Sequence, residues 1–177
     1  KLYENKQSWN ALQHETMPYP WNNRRLMFEA QPYLSGIFED LLTELSIILN
    51  QTFTQKHSSK YWSIVIGPWL LSHIQIFYER YICIKQAIEL YPLLKTYGLS
   101  DSDFTIPADF WEYFHNVTNS DRYNLQIYTS ILDGLNFQHK KFKFKNAETS
   151  SNGKRNSMGK WYLPFVRKVV LILGRVL

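Results

Sequence analysis

The chain has 177 residues, 45% of them hydrophobic and 20% charged, which excludes a disordered segment and allows one domain with a real core. A single cysteine, Cys83, excludes an internal disulfide and a cysteine metal cluster, and fits a reducing, cytoplasmic setting. The formal charge of +5 conceals an asymmetry: residues 1 to 139 carry ten Lys/Arg against fourteen Asp/Glu, while residues 140 to 177 carry ten against Glu148 alone.

A basic end of this kind suits an anionic partner, whether nucleic acid, a membrane surface or a phosphorylated substrate, or else a solvated connector kept soluble by its lysines. Ser63, Gly67, Pro68, Ser72, His73 and Gln75 interrupt the longest apolar stretch, so no run reaches the roughly 20 residues that a membrane span needs. The rings, Trp 6, Tyr 12 and Phe 11, suit an aromatic core more readily than a stacking surface. The sequons Asn50-Gln51-Thr52 and Asn116-Val117-Thr118 are read as chance matches to a short pattern.

Residues 1 to 21 lack a clear period and hold Trp9, Pro18, Pro20 and Trp21, which predicts an extended entry pinned by rings. Asn22 or Asn23 then caps a helix whose apolar positions, Ala30, Leu34, Ile37, Phe38, Leu41, Leu45 and Ile48, follow the spacing of one face. Pro32 is expected to kink or restart it, and its end is expected near residues 50 to 54.

Ser58 or Ser59 caps a second helix over about residues 60 to 90, closing before Pro92. Its first half is apolar nearly all round, which predicts burial. Gly67-Pro68 lies inside that half: Pro68 has no amide hydrogen for the carbonyl of Ile64, and Gly67 admits a close neighbour, so a kink is expected.

Residues 93 to 108 read as a connecting segment, with one short extended piece at Phe104 to Ile106. Two shorter helices follow, one with Phe110, Trp111 and Phe114, the other with Tyr123, Ile127, Ile131, Leu132 and Leu135 behind a cap at Asn119 or Ser120. The expected division is a helical portion over 1–138, a basic flexible connector over 139–160, and the start of a further apolar helix over 161–177. Within the connector, KFKFK alternates like an edge strand. A first residue other than Met and a final VVLILGRVL that stops in mid-pattern are read as the ends of a piece of a longer protein.

His57 and Lys60 fall at the start of the second helix, where unpaired amides and the dipole favour a phosphate or carboxylate; a capping His57 and a solvated Lys60 explain the same residues. His73, Phe77 and Arg80 can share a helix face, with His73 read as a buried, hydrogen-bonded side chain. Asn124 and Tyr128 could bond a hydroxylated ligand or bridge helices. No metal-ligand spacing and no phosphate-cradling glycine loop occurs.

The string HSSKYWSIVIGPWLLSHIQIFYERY, His57 to Tyr81, resembles the core motif of a family of transferases found with surface-polysaccharide and O-antigen biosynthesis genes. The residues that match are His57, Ser58, Tyr61, Trp62, Gly67, Pro68, Trp69, Leu70, Ile74, Gln75, Glu79 and Arg80. PYPWNNRRLM (Pro18 to Met27) and DRYNLQIYTSIL (Asp121 to Leu132) are similar to two further segments of that family, in the same order. Lys60 stands where the family usually has Arg.

The resemblance implies that this mainly α chain is the helical part of the N-terminal lobe of a two-lobed α/β, GT-B-like transferase. It implies transfer of a sugar from a nucleotide-sugar donor to a glycan or lipid-linked acceptor. The cofactor expectation is therefore none in this chain, with the donor bound by the full-length protein. His57 becomes a candidate acid/base or phosphate contact, Lys60 and Arg80 candidates to steady negative charge, and Trp62 or Trp69 a support for a sugar, with Asn124 as a further contact. Residues 140 to 177 could touch an anionic membrane peripherally at its inner face, and nucleic acid is not expected as a partner. The reading from another class is a non-catalytic helical module whose basic tail grips nucleic acid or anionic lipid.

Overall fold

The structure, a computed structural model, describes residue 13 and residues 15–143. The expectations for the remainder of the basic connector and for the apolar segment from residue 161 lie outside the described residues. What is described is mainly helical, with four α-helices and one two-stranded parallel pair among those residues.

Of the expected ring-pinned entry, Trp9 lies outside the described residues, and the described end is pinned by Trp21. Pro20–Asn22 forms a single 3-10 turn, and the Trp21 ring lies 6.0 Å from that of Tyr78. Helix α1, Arg24–Thr52, begins at Asn23, whose side chain accepts from the amides of Arg25 and Leu26. Pro32 neither ends nor restarts it. The proline is exposed, and so is Phe28, whose carbonyl it leaves without an intrahelical donor, so water can serve that group.

The end of α1 follows a Schellman pattern, in which the amide of Gln55 donates to the carbonyl of Asn50 and that of Thr54 to Gln51. This geometry puts Thr54 at φ 52, a region that a β-branched residue enters at a cost and that glycine enters freely. The same closure ends the last helix, where Asn136 at φ 53 holds the equivalent position and Phe137 donates to Leu132.

Helix α2, Ser59–Leu90, starts at Ser58, whose hydroxyl accepts from the Tyr61 amide, and runs without a break through Gly67-Pro68. Two local features let it continue. Pro68 sits on an exposed stretch, as does Ile64, whose carbonyl it leaves without a donor. Gly67 removes the Cβ that would press on the proline ring, which is what normally drives a pre-proline residue out of helical geometry. Gly67 also faces Phe38 of α1, and a Cβ there would meet the ring at an ordinary 3.7 Å.

Burial of the first half of α2 is only partial. Trp62, Gly67 and Leu70 are buried against α1, but Ile64, Val65 and Leu71 are 72%, 53% and 44% exposed among the described residues. An all-apolar stretch shows no periodicity, so it cannot reveal which side its neighbours cover.

The second half of α2 carries the core. Ile74, Phe77, Tyr78 and Tyr81 are buried in one cluster with side chains of α1 and with Ile127 and Ile131 further along the chain, and the Tyr78 ring lies 5.9 Å from that of Tyr33 of α1. Helix α3, Phe110–Asn119, is capped by Asp109, and α4, Asp121–Gly134, by Ser120.

The connecting segment departs from expectation. Its strand is β1, Tyr97–Leu99, paired in parallel with β2, Lys140–Phe142, which includes the start of the KFKFK alternation. Phe104 to Ile106 forms no ladder. Instead the amide of Thr105 donates to Gln126 Oε1, and its carbonyl accepts from Gln126 Nε2, so one side chain replaces a partner strand.

Gln126 belongs to a polar stripe on α4 that ties the segment down. Arg122 donates to the carbonyl of Asp103, Thr129 accepts from the amide of Leu99, and Asp133 pairs with Lys141 of β2. Their spacing of three and four residues puts them on one helix face. Gly98 is required beside this stripe, because a Cβ would lie 2.6 Å from His139 Cδ2 and 2.9 Å from Thr129 Cγ2.

Two stability predictions follow from these turns. Thr54→Gly should stabilise by about 1 kcal/mol in urea unfolding, because it removes a left-handed β-branched residue. Gly67→Ala should lose stability while Pro68 is present and gain about 0.5–1 kcal/mol in a Pro68→Ala background, where only helix propensity remains. Equal effects in both backgrounds would show that the proline does not dictate the glycine.

Candidate functional site

The singled-out residues fall into three groups along α2. At its N-terminal end the His57 ring stacks on Tyr61 with centroids 3.9 Å apart, and the Trp62 ring stands edge-on to both. Trp62 is buried and His57 half-buried. No ring nitrogen of His57 has a hydrogen-bond partner among the described residues, because the side chain is held by ring contacts and its backbone alone.

Lys60 is exposed one turn away and lines an open groove of about 650 Å³ between α1 and α2. The groove's walls include Phe38, Leu42 and Leu71, with Glu39 and Ser63 as further polar groups and Gly67-Pro68 along one side.

In the middle of the helix, half-buried Trp69 stacks on His73, with centroids 5.2 Å apart and planes at 25°. His73 is fully buried, and its Nδ1 lies 3.0 Å from the Tyr113 hydroxyl of α3. Burial lowers its pKa from 6.5 to about 3, so the ring is neutral at physiological pH and serves packing and a hydrogen bond, as expected for a core histidine.

At the far end, Arg80 donates through Nε and Nη2 to Asn124 Oδ1, at 3.2 and 2.6 Å, and through Nη1 to the Ile76 carbonyl. Asn124 Nδ2 in turn donates to the carbonyls of Val117 and Ser120, where α3 meets α4. All the hydrogen-bonding positions of this amide are thus engaged within the fold. Glu79 lies beside Arg80 at 3.6 Å and accepts from the Tyr19 hydroxyl. Nearby Cys83 has its thiol pushed upward by burial and by Glu79, against Arg80, which is the opposite of an activated nucleophile.

The structure therefore brings His57 together with Trp62, and Arg80 together with Asn124, but keeps the two pairs apart. At about 1.5 Å per residue, a straight helix separates its start from Arg80 by about 30 Å. Asn50, which sequence reasoning passed over as part of a sequon, proves central to the first group. Its side chain accepts from Trp62 Nε1 and the His57 amide and donates to the His57 carbonyl. The available signal was its place as a polar residue in the last turn of α1, beside the loop that leads to His57. Among the described residues, no cluster of His, Cys, Asp and Glu could hold a metal ion, and no helix is long and apolar enough to cross a membrane.

The helical scaffold thus presents a half-buried imidazole among rings, next to a groove that Lys60 lines. The family model described as LIC12162 family transferase matches residues 1–173, and the chain belongs to that family. No curated protein and no solved structure matches the chain.

The buried His73 makes a pH prediction. The unfolded chain protonates this ring near pH 6.5 and the folded one only near pH 3, so below pH 6.5 the unfolded state binds more protons. Stability should fall as pH drops through that window, with a slope of up to about 1.4 kcal/mol per unit from this group. Urea midpoints between pH 4 and 7 should show the slope in the native protein and a shallower one in His73→Gln.

Proposed function

We propose that the protein carrying this chain transfers a sugar from a nucleotide-activated donor to a glycan or lipid-linked acceptor during assembly of a bacterial surface polysaccharide such as O-antigen. The family supplies group transfer. The sugar and the pathway are inferred from the resemblance of the three motif segments.

The observation that carries the reading is the state of His57. His73 is buried and neutral, and the His139 side chain is buried with Nδ1 bonded to the Phe137 carbonyl, whereas His57 is half-buried and neither of its ring nitrogens has a hydrogen-bond partner among the described residues. An imidazole that is oriented by rings, with no nitrogen partner among the described residues, is suited to take a proton from an acceptor hydroxyl or to contact a phosphate. The aromatic faces around it suit the apolar face of a sugar ring. Lys60 is a cation of this end that lines the groove. Arg80, about 30 Å along the helix, would steady charge on a different part of the ligands, and Trp69 lies between the two ends.

The test is an acceptor-dependent release of nucleoside diphosphate from a panel of nucleotide sugars. His57→Ala should lower turnover by about 10²-fold or more, with a melting temperature close to that of the native protein. Unchanged turnover would remove His57 from the chemistry. Failure of every nucleotide sugar to support acceptor-dependent release would overturn sugar transfer itself.

A further inference from the structure

We infer that Asn50 is a positioning residue for the His57 end, an inference that rests on the reading of His57 given above. Asn50 lies in the last turn of α1, outside every motif segment, and its side chain makes three hydrogen bonds across the loop. Nδ2 donates to the His57 carbonyl at 2.8 Å, and Oδ1 accepts from the His57 amide and from Trp62 Nε1, both at 3.0 Å.

Closing the loop does not by itself call for these bonds. The Schellman pair already ends α1, using the backbone carbonyl of Asn50 as one acceptor, and Ser58 already caps α2. The side chain adds something else. It grips both backbone polar groups of His57, which lies just before the cap, and also the indole of Trp62, which lies inside the helix. One amide thereby sets the position of the His57 backbone relative to the Trp62 ring.

The ring arrangement depends on that setting. His57 meets Tyr61 face to face at 3.9 Å and 22°, and meets Trp62 edge-on at 5.8 Å, so a shift of its backbone would break both contacts. Among the described residues neither nitrogen of the imidazole is bonded, so these ring contacts and the Asn50 clamp are what orient it there. A carboxamide suits the task because it offers a donor and a two-fold acceptor in one plane. Asp would keep the acceptor and lose the donor, and Ala would lose both.

The experiment compares Asn50→Asp, Asn50→Ala and His57→Ala in the protein carrying this chain, by steady-state kinetics and by NMR of histidine-selectively labelled samples. The native His57 ring protons should be shifted upfield by the Tyr61 face. Asn50→Ala should move them towards the value of an unstacked histidine and lower kcat by about tenfold with KM nearly unchanged, with Asn50→Asp between. Should Asn50→Ala not fold, the near-isosteric Asn50→Asp carries the comparison. Native ring shifts and native kcat in both Asn50 variants, with His57→Ala inactive, would overturn the positioning role and leave the role of His57 standing. Native kcat in His57→Ala would instead sink the catalytic reading, and the ring shifts alone would then decide whether Asn50 seats the imidazole.

Discussion

The continuity of α2 through Gly67-Pro68 is the constraint on which the rest of the structure depends. A proline inside a helix removes one hydrogen bond and crowds the preceding turn, and the usual result is a kink or an end. Here the deprived position is exposed, the crowded Cβ is missing, and α1 packs alongside with Phe38 against the glycine. The helix therefore remains one element of 32 residues, long enough for α1 to lie along it and for α4 to pack on its far half.

That continuity sets the distances between chemical groups. The His57 end and the Arg80 end belong to one motif string in the sequence and lie about 30 Å apart along the helix. They also differ in how far the fold has used them. Arg80 is locked to Asn124 and to a backbone carbonyl, which makes it a joint between α2 and the α3–α4 corner. His57 is oriented by rings and, among the described residues, is not bonded at its nitrogens, while between the two ends His73 is dehydrated and held neutral. Three environments on or beside one helix thus give two histidines and an arginine different capacities for proton transfer and charge.

The connecting segment shows a different economy of interactions. Part of its backbone is satisfied by side chains of α4, with Arg122, Gln126 and Thr129 reaching successive points of residues 99 to 105. Buried or half-buried backbone groups need partners wherever they fall, and a helix can offer them at regular spacing as well as a strand can. The two short strands are then a local addition, covered at Gly98 on one face by His139 and Thr129.

Features that depend on a few neighbouring residues were legible in the chain. Asn23, Ser58 and Ser120 cap helices because a short polar side chain before an apolar run can reach only the amides two or three residues on. The apolar spacing of α1 marked its buried face, and Pro92 marked the limit of α2. The outcomes that rest on contacts between distant residues were not legible. Nothing local says that Gln126 serves Thr105, that Asn124 receives Arg80 from 44 residues away, or that Asn50 holds His57 and Trp62. Nor could an all-apolar run announce that Ile64 and Val65 stay exposed while Trp62 and Leu70 are buried. Capping and helix periodicity arise from the covalent geometry of adjacent residues, whereas burial, partner choice and the charge state of a histidine arise only when separate elements exclude water from one another.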